Sequence, residues 1–113
     1  MKFILSFLSF LAMTANAGVV TGKISRITIH GDNWGTYTRD QEGVAMFYMN
    51  SVPPACGDGA RRVVISTGHP SYEAALSIAM SAQARGTNVE INYLENCSVR
   101  GGAWTFGVIS SVE

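Results

Sequence analysis

Residues 68–86 read Gly68-His69-Pro70-Ser71-Tyr72-Glu73-Ala74-Ala75-Leu76-Ser77-Ile78-Ala79-Met80-Ser81-Ala82-Gln83-Ala84-Arg85-Gly86, and this stretch decides the fold class. The strand-like segments before and after it alternate with a period of two. Here the period becomes helical: Tyr72, Leu76, Ala79, Met80 and Gln83 recur on one side, with Ala75 and Ala82 beside them. Proline suits the first turn of a helix because the missing N–H is one that has no intrahelical partner anyway. Gly86 is a residue for the left-handed position just past a helix end, and Arg85 suits the negative end of the helix dipole. The reading is one helix over Pro70–Arg85, its Tyr/Leu/Met stripe packed into a core and its alanines allowing close approach to a sheet.

Upstream, Val19–His30 is rich in Val, Ile and Thr, but its alternation slips. Ile24 stands on one phase, Ile27 and Ile29 on the other, which predicts a β-bulge near Ser25-Arg26 and a bent first strand. Val44–Asn50 is apolar on both faces (Ala45, Phe47, Met49 and Val44, Met46, Tyr48), as a central strand is. Val52-Pro53-Pro54 ends it. Arg61–Ser66 is a third strand. Downstream of the helix, Val89, Ile91 and Tyr93 alternate with Glu90 and Asn92, and Trp104–Val112 is a last strand with Trp104, Phe106 and Val108 on one face. The order β, β, β, α, β, β predicts a mainly β fold, an OB-like β-barrel with one α-helix between strands 3 and 4. The alternative is an open α+β sheet with one covering helix.

The first 17 residues read as a cleavable signal peptide. Lys2 begins it, Phe3–Met13 is apolar except for Ser6 and Ser9, and Ala15-Asn16-Ala17 offers small residues to a peptidase. The apolar run is too short for a spanning helix, so no membrane span is expected after cleavage. Residues 18–113 then form a single domain that is secreted or periplasmic. That domain carries seven basic and eight acidic side chains with no run of either sign. Nucleic-acid binding is not expected, since it calls for a basic stripe. Cys56 and Cys97 are the only cysteines. In an exported chain they read as a disulfide between the loop after the second strand and the end of the fourth.

Two isolated cysteines and the distant histidines His30 and His69 do not make a metal site. The acids are scattered, and no serine stands in a nucleophile setting. The expectation is therefore no catalytic residue, no metal, no cofactor, and a binding module rather than an enzyme. The candidate ligand-binding residues are Asp32, Asn33, Trp34, Thr36 and Tyr37. They crowd an indole, a phenol, a carboxylate, an amide and a hydroxyl into one glycine-bounded loop; sugar sites combine such aromatic faces with a few polar groups. Packing of Trp34 over one end of the domain is the competing reading. Trp104 is read as core or rim packing, and of Arg61-Arg62 at most one side chain faces any ligand. A second candidate surface is Asn50–Arg62, rigidified by Pro53-Pro54 and anchored by Cys56.

The stretch His69-Pro70-Ser71-Tyr72-Glu73, the helix it opens, and Gly86-Thr87-Asn88-Val89-Glu90-Ile91 leaving it resemble the OB-fold B subunits of bacterial pentameric toxins of the subtilase cytotoxin and typhoid toxin type. The likeness covers about the middle half of the chain and is architectural. It implies an OB-like domain, a homo-oligomer and glycan binding, in that family of sialylated glycans. No residue matches the sugar-contacting serine of those proteins, so no site residue is transferred. The functional expectation is an exported, non-enzymatic binding module for a glycan or a protein partner. The alternative is a monomeric exported inhibitor or envelope-structure protein that binds a protein through a loop.

Overall fold

The computed structural model describes residues 17–31 and 43–112. The elements are β1 (Ala17–Gly22), β2 (Ile24–His30), β3 (Val44–Met49), a 3-10 turn (Ala55–Gly57), β4 (Arg62–Ser66), α1 (Tyr72–Arg85), β5 (Val89–Leu94) and β6 (Trp104–Ser111). The six strands form one sheet in the order β1-β5-β6-β4-β3-β2. All neighbours are antiparallel except β4 and β6, which pair in parallel over a short register, Val63 with Trp104 and Val64 with Thr105.

The bent first strand is present as two strands. The bulge expected near Ser25-Arg26 is the register shift between Ile24 and Arg26 opposite Met49 and Tyr48. The break at Lys23 comes just before it and splits the segment into β1 and β2. The expected closed barrel does not form. Closure would need a ladder between the two edge strands, and these are β1 and β2, with Lys23 alone between them. Even the tightest hairpin needs a two-residue loop, so the two run on end to end instead of side by side. The open α+β sheet with one covering helix is the form observed. Because β1 holds one edge of the sheet and β2 the other, the sheet must curl until its two edges meet at Lys23.

The helix runs from Tyr72 to Arg85. Its first turn is organised by His69: the Ser71 N–H donates to His69 Nδ1 at 3.0 Å and the Tyr72 N–H to the His69 carbonyl at 3.0 Å. Gly86 takes the left-handed conformation at φ 67°, and the Gly86 and Thr87 N–H groups close the last turn onto Gln83 and Ala82. The buried stripe differs from the expected one. Ala75, Ala79 and Ala82 are buried, Tyr72, Leu76 and Ile78 pack partly against them, and Met80 is 53% exposed. Small side chains let the helix sit close on β6 and β2, which rotates Met80 and Gln83 out of the contact.

The core on the helix side gathers Ile24, Ala45, Phe47, Met49, Val63, Ile65, Val89, Ile91, Tyr93 and Phe106. β3 is central, paired with β2 and β4, and apolar on both faces as read. On β6 the expected common face of Trp104, Phe106 and Val108 is broken. Phe106 opposes Tyr93 while Val108 opposes Asn92, so Gly107 is an extra residue. A Cβ at Gly107 would lie 2.6 Å from the Asn92 carbonyl oxygen. The bulge turns Val108 outward, 52% exposed, and sends Ile109 toward the core. Cys56 and Cys97 are bonded, with Cα atoms 6.5 Å apart.

Candidate ligand-binding face

The face of the β2-β3-β4 sheet turned away from the helix is set by two register facts. Strand alternation puts Arg26, Thr28 and His30 of β2 on that face. The pairing then aligns three rows across the strands: Arg26-Tyr48-Arg62, Thr28-Met46-Val64 and His30-Val44-Ser66. Val44, Met46 and Val64 are buried in a second, smaller apolar cluster with Ala103, and Tyr48 packs against it. Ala103 belongs to the segment between β5 and β6, so this segment folds over the middle row.

That segment is held at several points. The Asn96 side chain accepts from the Ser98 N–H at 3.2 Å and from the Ser98 hydroxyl at 2.8 Å. The Asn96 carbonyl accepts from the Thr105 N–H at 3.0 Å, and Cys97 bonds Cys56. Arg62 ties the segment to the sheet: its Nε donates to the Gly102 carbonyl at 3.0 Å and its Nη1 to the Tyr48 hydroxyl at 2.9 Å. Tyr48 lies between two cations. The Arg26 guanidinium is 4.8 Å and that of Arg62 is 5.7 Å from its ring centre. Arg26 also donates from Nε to the Thr28 hydroxyl at 3.3 Å.

The result is a pocket of about 210 Å³ lined, among the described residues, by Met46 and Arg62 from the sheet, His30 from the end of β2, and Arg100 and Gly101 from the covering segment. Among the described residues, the charged side chains on its wall are cations. Burial, then the charges of Arg100 and Arg62, push the His30 imidazole below its ordinary value. No Asp or Glu stands in the three strand rows. No family model, no curated protein and no solved structure matches the chain. The site must therefore be judged on its own chemistry. At about 210 Å³ it is smaller than the roughly 300–1,000 Å³ that holds a drug-sized ligand. It suits one sugar ring or one charged substituent, not an extended cofactor.

The loop residues singled out from sequence, Asp32, Asn33, Trp34, Thr36 and Tyr37, lie outside the described residues. Their attachment does not. Gly43 is pinched against the preceding strand end, so that a Cβ there would sit 2.3 Å from the His30 carbonyl oxygen and 2.7 Å from that of Gly31. Thr67 holds this closure from the other side: its hydroxyl accepts from the Gly43 N–H at 3.1 Å, and its own N–H donates to the Gly43 carbonyl at 2.9 Å. Gly31 and Gly43 thus stand side by side next to His30, which lines the pocket.

The structure also places other residues singled out from the sequence. Of the arginine pair, Arg62 faces the pocket while Arg61 donates to the Val52 carbonyl at 3.1 Å. Trp104 packs at the rim, its indole N–H on the Pro53 carbonyl at 2.9 Å and its ring 5.2 Å from that of Tyr93. His69 is satisfied by the helix start and an edge-on contact with Phe106. Among the described residues no group of three or more His, Cys, Asp or Glu is placed to hold a metal ion. Sequence reasoning missed Arg26, Tyr48 and Arg100. The alternation of Arg26, Thr28 and His30 was a visible signal, but the bulge decides which residues of β3 stand beside them.

Proposed function

We propose that this chain is an exported, non-enzymatic binding module that engages a glycan through the outer face of β2, β3 and β4. The observation that carries the reading is the pocket itself: two guanidiniums, an imidazole, the Met46 side chain and the backbone at Gly101 converge on a volume of one sugar residue, and Arg62 bonds the Tyr48 hydroxyl on the same face. The disulfide supports export, because such bonds persist in oxidising compartments. No helix among the described residues is long and apolar enough to cross a membrane, which is compatible with release after signal cleavage. Asp32, Asn33, Trp34, Thr36 and Tyr37 remain candidate ligand-binding residues on sequence grounds, and the described residues that flank their segment, Gly31 and Gly43, stand beside His30 of the pocket wall.

In its toxin-B-like version the module acts as a homo-oligomer. Among the described residues the outer edges of β1 and β2 have no strand beside them, and such edges offer a row of backbone groups for pairing between copies. A screen of the residue 18–113 domain on a broad glycan array, with light scattering for assembly, tests the reading. Binding that is lost in Tyr48→Ala supports it, and silence across neutral and acidic glycans contradicts it. One observation favours the second reading, a monomeric inhibitor or envelope protein. The Asn50–Arg62 loop is braced by the Ala55–Ala60 and Arg61–Val52 hydrogen bonds, the Trp104–Pro53 bond and the disulfide. A braced loop binds with little ordering cost. Co-purification with one envelope protein, abolished by shortening this loop, would select that reading.

A further inference from the structure

We propose that the pocket between His30, Arg62 and Arg100 is the subsite for a tetrahedral oxyanion, a sulfate or phosphate ester carried by the bound ligand. This deepens the binding-module reading and rests on it. A pocket of about 210 Å³ with two guanidiniums and an imidazole on its wall recognises negative charge before shape.

The donors come from three separate elements. Arg62 rises from β4, His30 stands at the end of β2, and Arg100 with Gly101 comes from the segment between β5 and β6. A planar carboxylate is satisfied by one guanidinium meeting it edge-on. Donors arriving from three sides suit an anion whose oxygens also point several ways. The Arg62 side chain is positioned for this. Its Nε and Nη1 are held by Gly102 and Tyr48, bonds that do not use Nη2. Holding the guanidinium in advance lowers the cost of ordering it around a ligand. Burial first lowers the proton affinity of His30, and the charges of Arg100 and Arg62, which both reach its ring, lower it further. An oxyanion in the pocket would oppose those charges and draw a proton onto the imidazole.

The test uses the disulfide-bonded residue 18–113 domain and reads the His30 imidazole by NMR. Inorganic sulfate, inorganic phosphate and acetate are titrated first. Matched saccharides bearing a sulfate ester, a phosphate ester or a carboxylate follow. The expected result is saturable perturbation of His30 with a raised pKa for sulfate and phosphate, and little for acetate. Arg100→Gln and His30→Gln should each weaken the ester-bearing saccharide about tenfold, the scale of one charge-assisted hydrogen bond, while Arg85→Gln at the far end of α1 leaves it unchanged. Circular dichroism melts establish that each variant is folded. The stronger of the sulfate and phosphate arms names the ester. Equal or better binding of acetate and the carboxylated saccharide overturns the oxyanion subsite but leaves the module reading standing. A carboxylate of the chain itself seated in the pocket would show as no response to any ion, which also overturns the subsite. Response to the inorganic ions with no saccharide bound at any arm keeps the subsite and removes the glycan reading.

Discussion

Arg61 and Arg62 are neighbours that the strand sends to opposite faces, and their alanine variants should differ sharply. Arg62 makes two bonds across 40 and 14 positions of sequence, to the Gly102 carbonyl and the Tyr48 hydroxyl, and its guanidinium lies over the Tyr48 ring. Arg61 makes one bond, to the Val52 carbonyl. Hydrogen bonds from a charged donor contribute about 1.5–3 kcal/mol when buried. Both arginines are partly solvated, so roughly 1 kcal/mol per bond is the appropriate scale. Arg62→Ala should therefore cost about 2–3 kcal/mol, including the cation–ring contact, and Arg61→Ala about 1 kcal/mol or less. For a domain of this size each kcal/mol moves the melting point by about 4–8 °C. The Arg62 variant should thus melt roughly 10–20 °C below the parent. Urea unfolding at constant m-value measures the difference. Equal losses for the two variants would refute the account of Arg62 as the tie between the covering segment and the sheet.

Reduction of the Cys56–Cys97 bond, or the double serine variant, should cost about 4 kcal/mol for a closed loop of 41 positions, read as a lowered urea midpoint. Ala79→Leu should cost about 1–3 kcal/mol by overpacking the helix–sheet contact, while Met80→Gln on the exposed side leaves the melt within about 0.5 kcal/mol of the parent. For His30 the folded pKa lies below the unfolded value, so its contribution to stability is present above that unfolded value, near 6.5, and is lost as pH falls through the lowered folded pKa. Ligand-free protein should lose stability on acidification from pH 7, with a shallower slope in His30→Gln, measured by melts across pH. Trp34→Ala should leave the melting point nearly unchanged and reduce ligand binding; a loss of about 3–5 kcal/mol would mark it as a packing residue instead.

What was legible in the sequence was local. Pro70, the 3.6-residue spacing and Gly86 act within one helix, and they placed α1 to within two residues of its start and at its end. The phase slip from Ile24 to Ile27 is also local, and so was the bulge. The central position of β3 followed from apolar residues on both faces, and two cysteines leave one pairing. What was illegible depended on long-range register. Lys23 breaks the first strand where the chain passes from one edge of the sheet to the other, and the local sign beside it, Gly22, does not by itself tell a strand break from a strand glycine. Gly107 looked like a strand glycine, yet it reverses the faces of Val108 and Ile109. The pocket is assembled from residues 30, 46, 62, 100 and 101, and they meet only once the bulge at Ser25 and the β3-β4 pairing have both been set. The aromatic segment that sequence favoured lies outside the described residues; its described neighbours Gly31 and Gly43 stand next to His30, which lines the pocket.

The most direct test of the central claim is an amide NMR map of the residue 18–113 domain titrated with the strongest glycan from the array. The account predicts perturbations concentrated at Arg26, His30, Tyr48, Arg62, Arg100 and Gly101, with the amides of Asn50–Gly59 and of α1 unmoved. Perturbations confined to Asn50–Gly59, or to the groove between α1 and β6, would contradict it.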